Sequence, residues 1–141
     1  MTRLRAAAAA LVISATALLP TAGTAHASTR AEIQVNSFFG KYREAVLDQP
    51  SQDPQEVRKE FLAPELEPVL DQWASDHDAN PIFRAQNVPD SWSIALGDSD
   101  AGHTTVLLTE NWTDGTHTVV QYQVRTDNLV IDDLKDAPQT Q

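Results

Sequence analysis

The sequence predicts an α+β domain in which three N-terminal helices pack on one face of a four-stranded antiparallel sheet. Apolar residues recur every three or four positions up to Trp73 and every second position from Trp92 onward, and these two periods are typical of helices and strands. Three short connections join the predicted strands, which indicates antiparallel pairing. Because the helices all precede the strands, the chain fits the α+β class rather than an alternating α/β fold.

Each predicted helix has a recognisable start and an apolar stripe. The first begins at Thr29, where residues 29–32 (Thr-Arg-Ala-Glu) match a capping box, and it ends before Pro50. The second begins at Asp53-Pro54, and Pro64 both ends it and opens the third. The three stripes comprise Val35, Phe38, Phe39, Tyr42, Val46, Leu47, Val57, Phe61, Leu66, Val69, Leu70 and Trp73.

The predicted strands follow a long connection. They cover residues 92–96, 104–112, 117–125 and 129–134, and Asp114-Gly115 marks the hairpin between the second and the third. The connection spans residues 75–91 and is interrupted by Pro81 and Pro89. Because long ordered connections often carry function, this loop is the first place to expect a binding site.

Composition limits the chemistry that the chain can perform. It has 141 residues, 20 acidic and 10 basic side chains, a net charge of -10 and no cysteine, which indicates one small domain. The negative charge repels phosphates and disfavours nucleic-acid binding. Without cysteine there is no disulfide and no thiolate nucleophile. The sequence also lacks a glycine-rich phosphate loop and a Gly-x-Ser-x-Gly elbow, so we expect neither a cofactor nor nucleophilic hydrolysis.

The N-terminal segment has the features of a secretory signal peptide. Arg3 and Arg5 precede a largely apolar run over residues 6–19, and Ala25-His26-Ala27 supplies small residues for cleavage near Ala27. The run is shorter than the roughly 20 residues of a membrane-spanning helix. We therefore expect residues 1–27 to be removed. Residues 28–136 would form a secreted domain without a membrane span, and residues 137–141 a disordered tail.

The order of elements resembles a known fold family. An opening helix with Val35, Phe38, Phe39 and Tyr42, two further helices and a four-stranded meander look like the nuclear-transport-factor-two-like (ketosteroid-isomerase-like) cone. Residues 80–86 (Asn-Pro-Ile-Phe-Arg-Ala-Gln) are also similar to a stretch in a bacterial exported family of unknown function, which has Asp where this chain has Asn. The resemblance implies a curved sheet that wraps the helices around a pocket. Such scaffolds host enzymes and binding modules alike, so the fold does not choose between them.

Glu110 and Tyr122 are the candidate catalytic residues of such a pocket. Glu110 alternates with Val106, Leu108 and Trp112. If these residues face inward, apolar neighbours raise the pKa of the Glu110 carboxyl group and suit it to act as a base. Tyr122 would then donate a hydrogen bond through its hydroxyl group. In the alternative interpretation, Glu110 lies near a strand end and reaches water.

Asp76 and Asp78, with His77 between them, offer oxygen and imidazole ligands at the start of the long connection. They lack the glycine and the glutamate of a calcium-binding loop. A polar helix end is the preferred interpretation, and we expect no metal.

Binding is the preferred function, because no complete catalytic set is visible in the sequence. The expected contacts are Phe83, Arg84 and Gln86 in the long loop and Trp112 at the hairpin edge. The expected partner is an extracellular protein or a small apolar ligand, and the oligomeric state is left open. Two alternatives are kept: an enzyme of the ketosteroid-isomerase type with Glu110 as base, and a secreted immunity or assembly partner of another exported protein. A large exposed apolar patch would favour the last.

Overall fold

The computed structural model of the protein describes residues 22–138. It confirms the predicted α+β class, with three helices and a four-stranded antiparallel sheet. The elements are α1 (Ala22–Leu47), α2 (Pro54–Phe61), a 3-10 turn (Pro64–Leu66), α3 (Glu67–His77), β1 (Ser91–Ser99), β2 (His103–Asn111), β3 (His117–Arg125) and β4 (Ile131–Asp136). The predicted signal segment up to residue 21 and the tail residues 139–141 lie outside the described residues.

The first helix is longer than predicted. It begins at Ala22, upstream of the expected cap at Thr29. Residues 22–28 (Ala-Gly-Thr-Ala-His-Ala-Ser) are rich in alanine, the best helix former, so the helix continues upstream through them.

Two further boundaries differ from the prediction because of local turns. The segment after Pro64 starts as a 3-10 turn, and the α-helix proper begins at Glu67. The last strand begins at Ile131, because Leu129 adopts a φ of 63° and its amide donates to the carbonyl of Arg125 at 3.0 Å. These two residues therefore close a turn, and strand pairing starts after it.

The sheet is a meander in which each strand pairs with the next along the chain. The register pairs Glu110 with Thr118 across β2 and β3, and Val106 with Tyr122. Tyr122 in turn lies opposite Leu134 of β4. Because side chains alternate between sheet faces, Glu110 and Tyr122 share a face with the buried residues of their strands.

One hydrophobic core contains residues of all three helices, the long connection and the sheet. Phe38 of α1 lies near its centre, with ring centroids 5.8 Å from Tyr42, 5.7 Å from Phe61 and 6.3 Å from Tyr122. The other core residues are Ala31, Val35, Phe39, Leu62, Leu66, Leu70, Ile82, Phe83, Val106, Leu108, Val120, Val124, Ile131 and Leu134. Within residues 22–138, no helix is both long enough and apolar enough to cross a membrane.

Candidate functional site

A cleft of about 730 Å³ opens where α3, the long connection and the ends of β3 and β4 meet. This volume lies within the range of about 300–1,000 Å³ that small-molecule sites occupy. The lining is mixed in polarity and consists of Trp73, His77, Ala79, Arg84, His117, Thr118, Val119, Asp136, Ala137 and Pro138.

The long connection is held in place by Asn80 and Phe83. The side-chain oxygen of Asn80 accepts hydrogen bonds from the amides of Ile82 at 2.9 Å and Phe83 at 3.1 Å, and its nitrogen donates to the hydroxyl of Tyr42 at 3.0 Å. The Phe83 ring packs in the core at 5.3 Å from Tyr42. This anchoring fixes the next residue, Arg84, at the cleft, with a φ of 55° in the left-handed region.

Arg84 is a buried cation with few partners. Its side chain is only 5% exposed, and its Nη2 donates to the carbonyl of Leu134 at 2.7 Å. Its Cζ lies 4.3 Å from the centre of the Trp73 ring, and its Nε lies 3.5 Å from Oδ1 of Asp136. Nε and Nη1 have no hydrogen-bond partner within the described part of the chain. Burial lowers the pKa of Arg84, and the charge of Asp136 opposes that shift.

Trp73 and His77 form one wall of the cleft. Their rings stack with centroids 4.1 Å apart, and Nδ1 of His77 lies 2.8 Å from the Trp73 carbonyl oxygen. Trp73 therefore contacts both His77 and Arg84 and orients the guanidinium group by stacking.

Glu110 and Tyr122 lie in the core, and both are fully buried. Desolvation raises the pKa of Glu110 to about 8, although the charge of Arg84 opposes the shift. Burial, followed by the nearby Glu110, raises the pKa of Tyr122 well above its usual value. Among the described residues, neither the two Glu110 carboxyl oxygens nor the Tyr122 hydroxyl group has a hydrogen-bond partner. The two side chains therefore do not hydrogen-bond to each other. At pH 7 the Glu110 carboxyl group is mostly protonated.

The four residues predicted to bind a partner have different surroundings. Arg84 lines the cleft, and Trp112 lines an adjacent groove of about 390 Å³, where its Nε1 donates to Oγ1 of Thr118 at 2.9 Å. Gln86 is exposed and donates to the carbonyl of Asp78 at 3.1 Å. Phe83 is part of the core, so its ring anchors the loop and does not face solvent.

Asp76 and Asp78 serve the end of α3 in this structure. Oδ1 of Asp76 accepts a hydrogen bond from Gln72 at 2.8 Å, and Asp78 is the left-handed C-cap residue. Within residues 22–138, no group of three or more acidic, histidine or cysteine side chains is arranged to hold a metal ion.

The cleft also uses residues that sequence reasoning did not select. Trp73 belongs to the apolar stripe predicted for the third helix, His117 begins the predicted third strand, and Asp136 is the last residue of the predicted domain. They lie far apart in the chain and meet only because α3 and the paired strands β3 and β4 border the same cleft. The useful signal was the aromatic residue in the last turns of the helix that leads into the long connection.

Comparison with known proteins supports the fold alone. No protein-family model and no curated protein sequence matches this chain. A crystal structure of a protein of unknown function from Bacteroides thetaiotaomicron VPI-5482 is similar, with a TM-score of 0.62 and 19% sequence identity. The similarity covers 82% of this chain and 94% of that one.

Proposed function

We propose that this chain is a secreted binding module that takes a small ligand in the cleft beside Arg84. The observation that carries the proposal is a concave site of about 730 Å³ into which a structured loop presents a buried, under-bonded guanidinium group. Small-molecule sites combine concave shape with a few fixed polar groups. The polar residues in this mixed lining favour a ligand that has polar groups over the apolar ligand that the sequence suggested.

We also propose that the fold is a cone of the nuclear-transport-factor-two-like type. In this arrangement the three helices lie on one face of a curved sheet, and the cleft is the open end of the cone. Two observations support it: the strands form a simple meander, and all three helices contribute to the same core as alternate residues of β2 and β3.

Export is the third part of the proposal, and it rests on the sequence. The basic start, the apolar run and the small residues before Ser28 are typical of a signal peptide. An acidic domain without cysteine requires no oxidising compartment to fold, so the segment is the main support for secretion.

A small ligand is preferred over a protein partner, because the exposed large apolar side chains of the described residues come from four different elements. The large ones are Ile33, Leu47, Val69, Leu96 and Val119, and they belong to α1, α3, β1 and β3. A docking patch for a partner protein would concentrate them on one surface.

An enzyme with Glu110 as base is the second candidate, and the raised pKa of Glu110 is the observation in its favour. Two features weigh against it. The Glu110 oxygens are covered, and neither contacts the Tyr122 hydroxyl. A substrate could reach the carboxyl group only after the side chains that cover it had moved.

We expect Ala79→Trp to fill the cleft and to weaken ligand binding at least about tenfold, which corresponds to 1.4 kcal/mol. Ala79 is half-buried and lines the cleft. Ala95→Trp is the matched control, since Ala95 is exposed on β1 and lies outside the cleft lining. Both variants should unfold within about 0.5 kcal/mol of the parent protein in urea, because neither position is fully buried.

The experiment that tests the whole proposal is native mass spectrometry of the protein purified from the culture supernatant of its own organism. We expect a chain that begins at Ser28 and carries a small-molecule adduct. Ala95→Trp should retain the adduct, and Ala79→Trp should lose it. Protein that stays inside the cell with residues 1–27 attached would overturn the export proposal. Equal adducts on the two variants would overturn the assignment of the cleft.

A further inference from the structure

We propose that the cleft recognises a carboxylate group of a small organic ligand, with Arg84 as the anchor and Asp136 as the group that the ligand displaces. This inference rests on the proposed ligand-binding function and specifies the chemical class of the ligand.

Arg84 has unused hydrogen-bond donors. An arginine side chain has five N–H groups, and Arg84 makes one hydrogen bond to the protein, from Nη2 to the Leu134 carbonyl. Nε and Nη1 are buried and have no acceptor among the described residues. Buried donors without acceptors are costly. Nε and Nη1 lie on different edges of the guanidinium group, so a ligand carboxylate beside Nε would supply the acceptor that Nε lacks.

The Trp73 ring prepares Arg84 for such a contact. It stacks on the guanidinium group at 4.3 Å, and stacking uses the face of the group while hydrogen bonding uses its edge. The ring therefore fixes the plane in which the N–H groups point. The left-handed backbone at Arg84, with a φ of 55°, is a strained conformation of the kind that persists at ligand contacts.

Asp136 marks the position of the ligand carboxylate. Its Oδ1 lies 3.5 Å from Nε of Arg84, and its side chain is 60% exposed. That separation is too long for a strong hydrogen bond. The position beside Nε is thus already occupied by a carboxylate, and that carboxylate is in contact with solvent on the cleft side. A ligand carboxylate that takes this position exchanges a long ion pair for charge-assisted hydrogen bonds.

The surrounding charges favour a carboxylate over a phosphate. Besides Asp136, the acidic residue Asp133 lies close enough to interact with Arg84, and the chain as a whole carries a net charge of -10. A ligand carboxylate brings only one negative charge to this acidic site, where the displaced Asp136 side chain remains nearby. A doubly charged phosphate would add repulsion.

The test is an NMR titration of the mature protein with benzoate, benzamide and inorganic phosphate as probes. Benzamide has the shape of benzoate without its charge. We expect benzoate to bind at least about tenfold more tightly than benzamide, because a hydrogen bond between charged groups contributes roughly a factor of ten or more. Phosphate should bind more weakly than benzoate.

Variants at Arg84 and Asp136 should act in opposite directions. Arg84→Met should weaken benzoate binding about tenfold or more. Asp136→Asn removes the competing acid and should strengthen it about two- to fivefold. Arg43→Met is the matched control: Arg43 also donates to a backbone carbonyl, that of Pro89 at 2.9 Å, but it is not part of the cleft lining, so benzoate binding should not change.

Several results would overturn the inference. If benzamide binds as tightly as benzoate, the negative charge of the ligand does not contribute to binding. The carboxylate inference then fails, while the cleft remains a ligand site. If inorganic phosphate binds more tightly than benzoate, the cleft recognises a phosphate group and the carboxylate inference is wrong. An unchanged or weaker affinity for benzoate in Asp136→Asn, a surface variant expected to fold, would refute the displacement. If benzoate does not bind at all, the carboxylate inference fails, and the adduct found by mass spectrometry decides the cleft function separately.

Discussion

Replacement of Glu110 by glutamine is expected to remove a pH dependence in which the free energy of unfolding falls by about 4 kcal/mol between pH 4.5 and pH 8. In the unfolded chain the Glu110 carboxyl group ionises near its ordinary pKa of 4.5, whereas burial holds it protonated in the folded chain up to about pH 8. Between these values the unfolded state binds fewer protons, so rising pH favours unfolding. The stabilising effect of the protonated group is complete below pH 4.5 and is lost as the pH rises to 8.

The measurement is urea unfolding at a series of pH values for the parent protein, Glu110→Gln and Glu44→Gln. Glu44 is exposed on α1, so its replacement controls for the removal of one acid. The difference between the parent and Glu110→Gln should change steeply across the window, and the difference between the parent and Glu44→Gln should stay nearly constant. Parallel curves for the parent and Glu110→Gln would show that Glu110 is not buried in the folded protein.

Phe38→Ala is expected to lower the free energy of unfolding by about 3–5 kcal/mol, as large-to-small changes in tightly packed cores do. Phe38 is fully buried and contacts the rings of Tyr42, Phe61 and Tyr122, which belong to α1, α2 and β3. Its removal leaves a cavity between these elements.

The control for Phe38→Ala is Ile33→Ala in the same helix. Ile33 is 59% exposed, so its truncation should cost about 0.5 kcal/mol or less. Both values come from urea unfolding at one pH. Similar losses for the two variants would mean that α1 does not pack against the sheet through the face that contains Phe38.

Local signals predicted the elements of the fold well. Asp53 and Pro54 predicted the start of α2, and in the structure the Asp53 side chain accepts a hydrogen bond from the Gln55 amide at 2.9 Å. Asp114-Gly115 predicted the hairpin between β2 and β3, where Gly115 has a φ of 83°. Such signals lie within a few residues of the feature that they predict. They fail where a neighbouring segment extends an element, as the alanines before Thr29 do for α1.

The candidate site was only partly predictable, because its properties come from distant contacts. The alternation of β2 indicated that Glu110 could face inward, but its complete burial depends on the helices and on Arg84 from another part of the chain. The loop composition indicated Arg84, whereas the approach of Asp136 and Leu134 depends on the register of β4. Phe83 was predicted to bind a partner but lies in the core. The sequence alone does not distinguish an apolar loop residue that anchors the loop from one that binds a partner.

The most direct test of the central proposal is a crystal structure of the mature protein purified together with its natural small molecule. The account predicts electron density for that molecule in the cleft between Trp73, Arg84 and Thr118, with an acidic group beside Nε of Arg84. Density for the ligand in the groove beside Trp112, or on the sheet surface remote from Arg84, would contradict it.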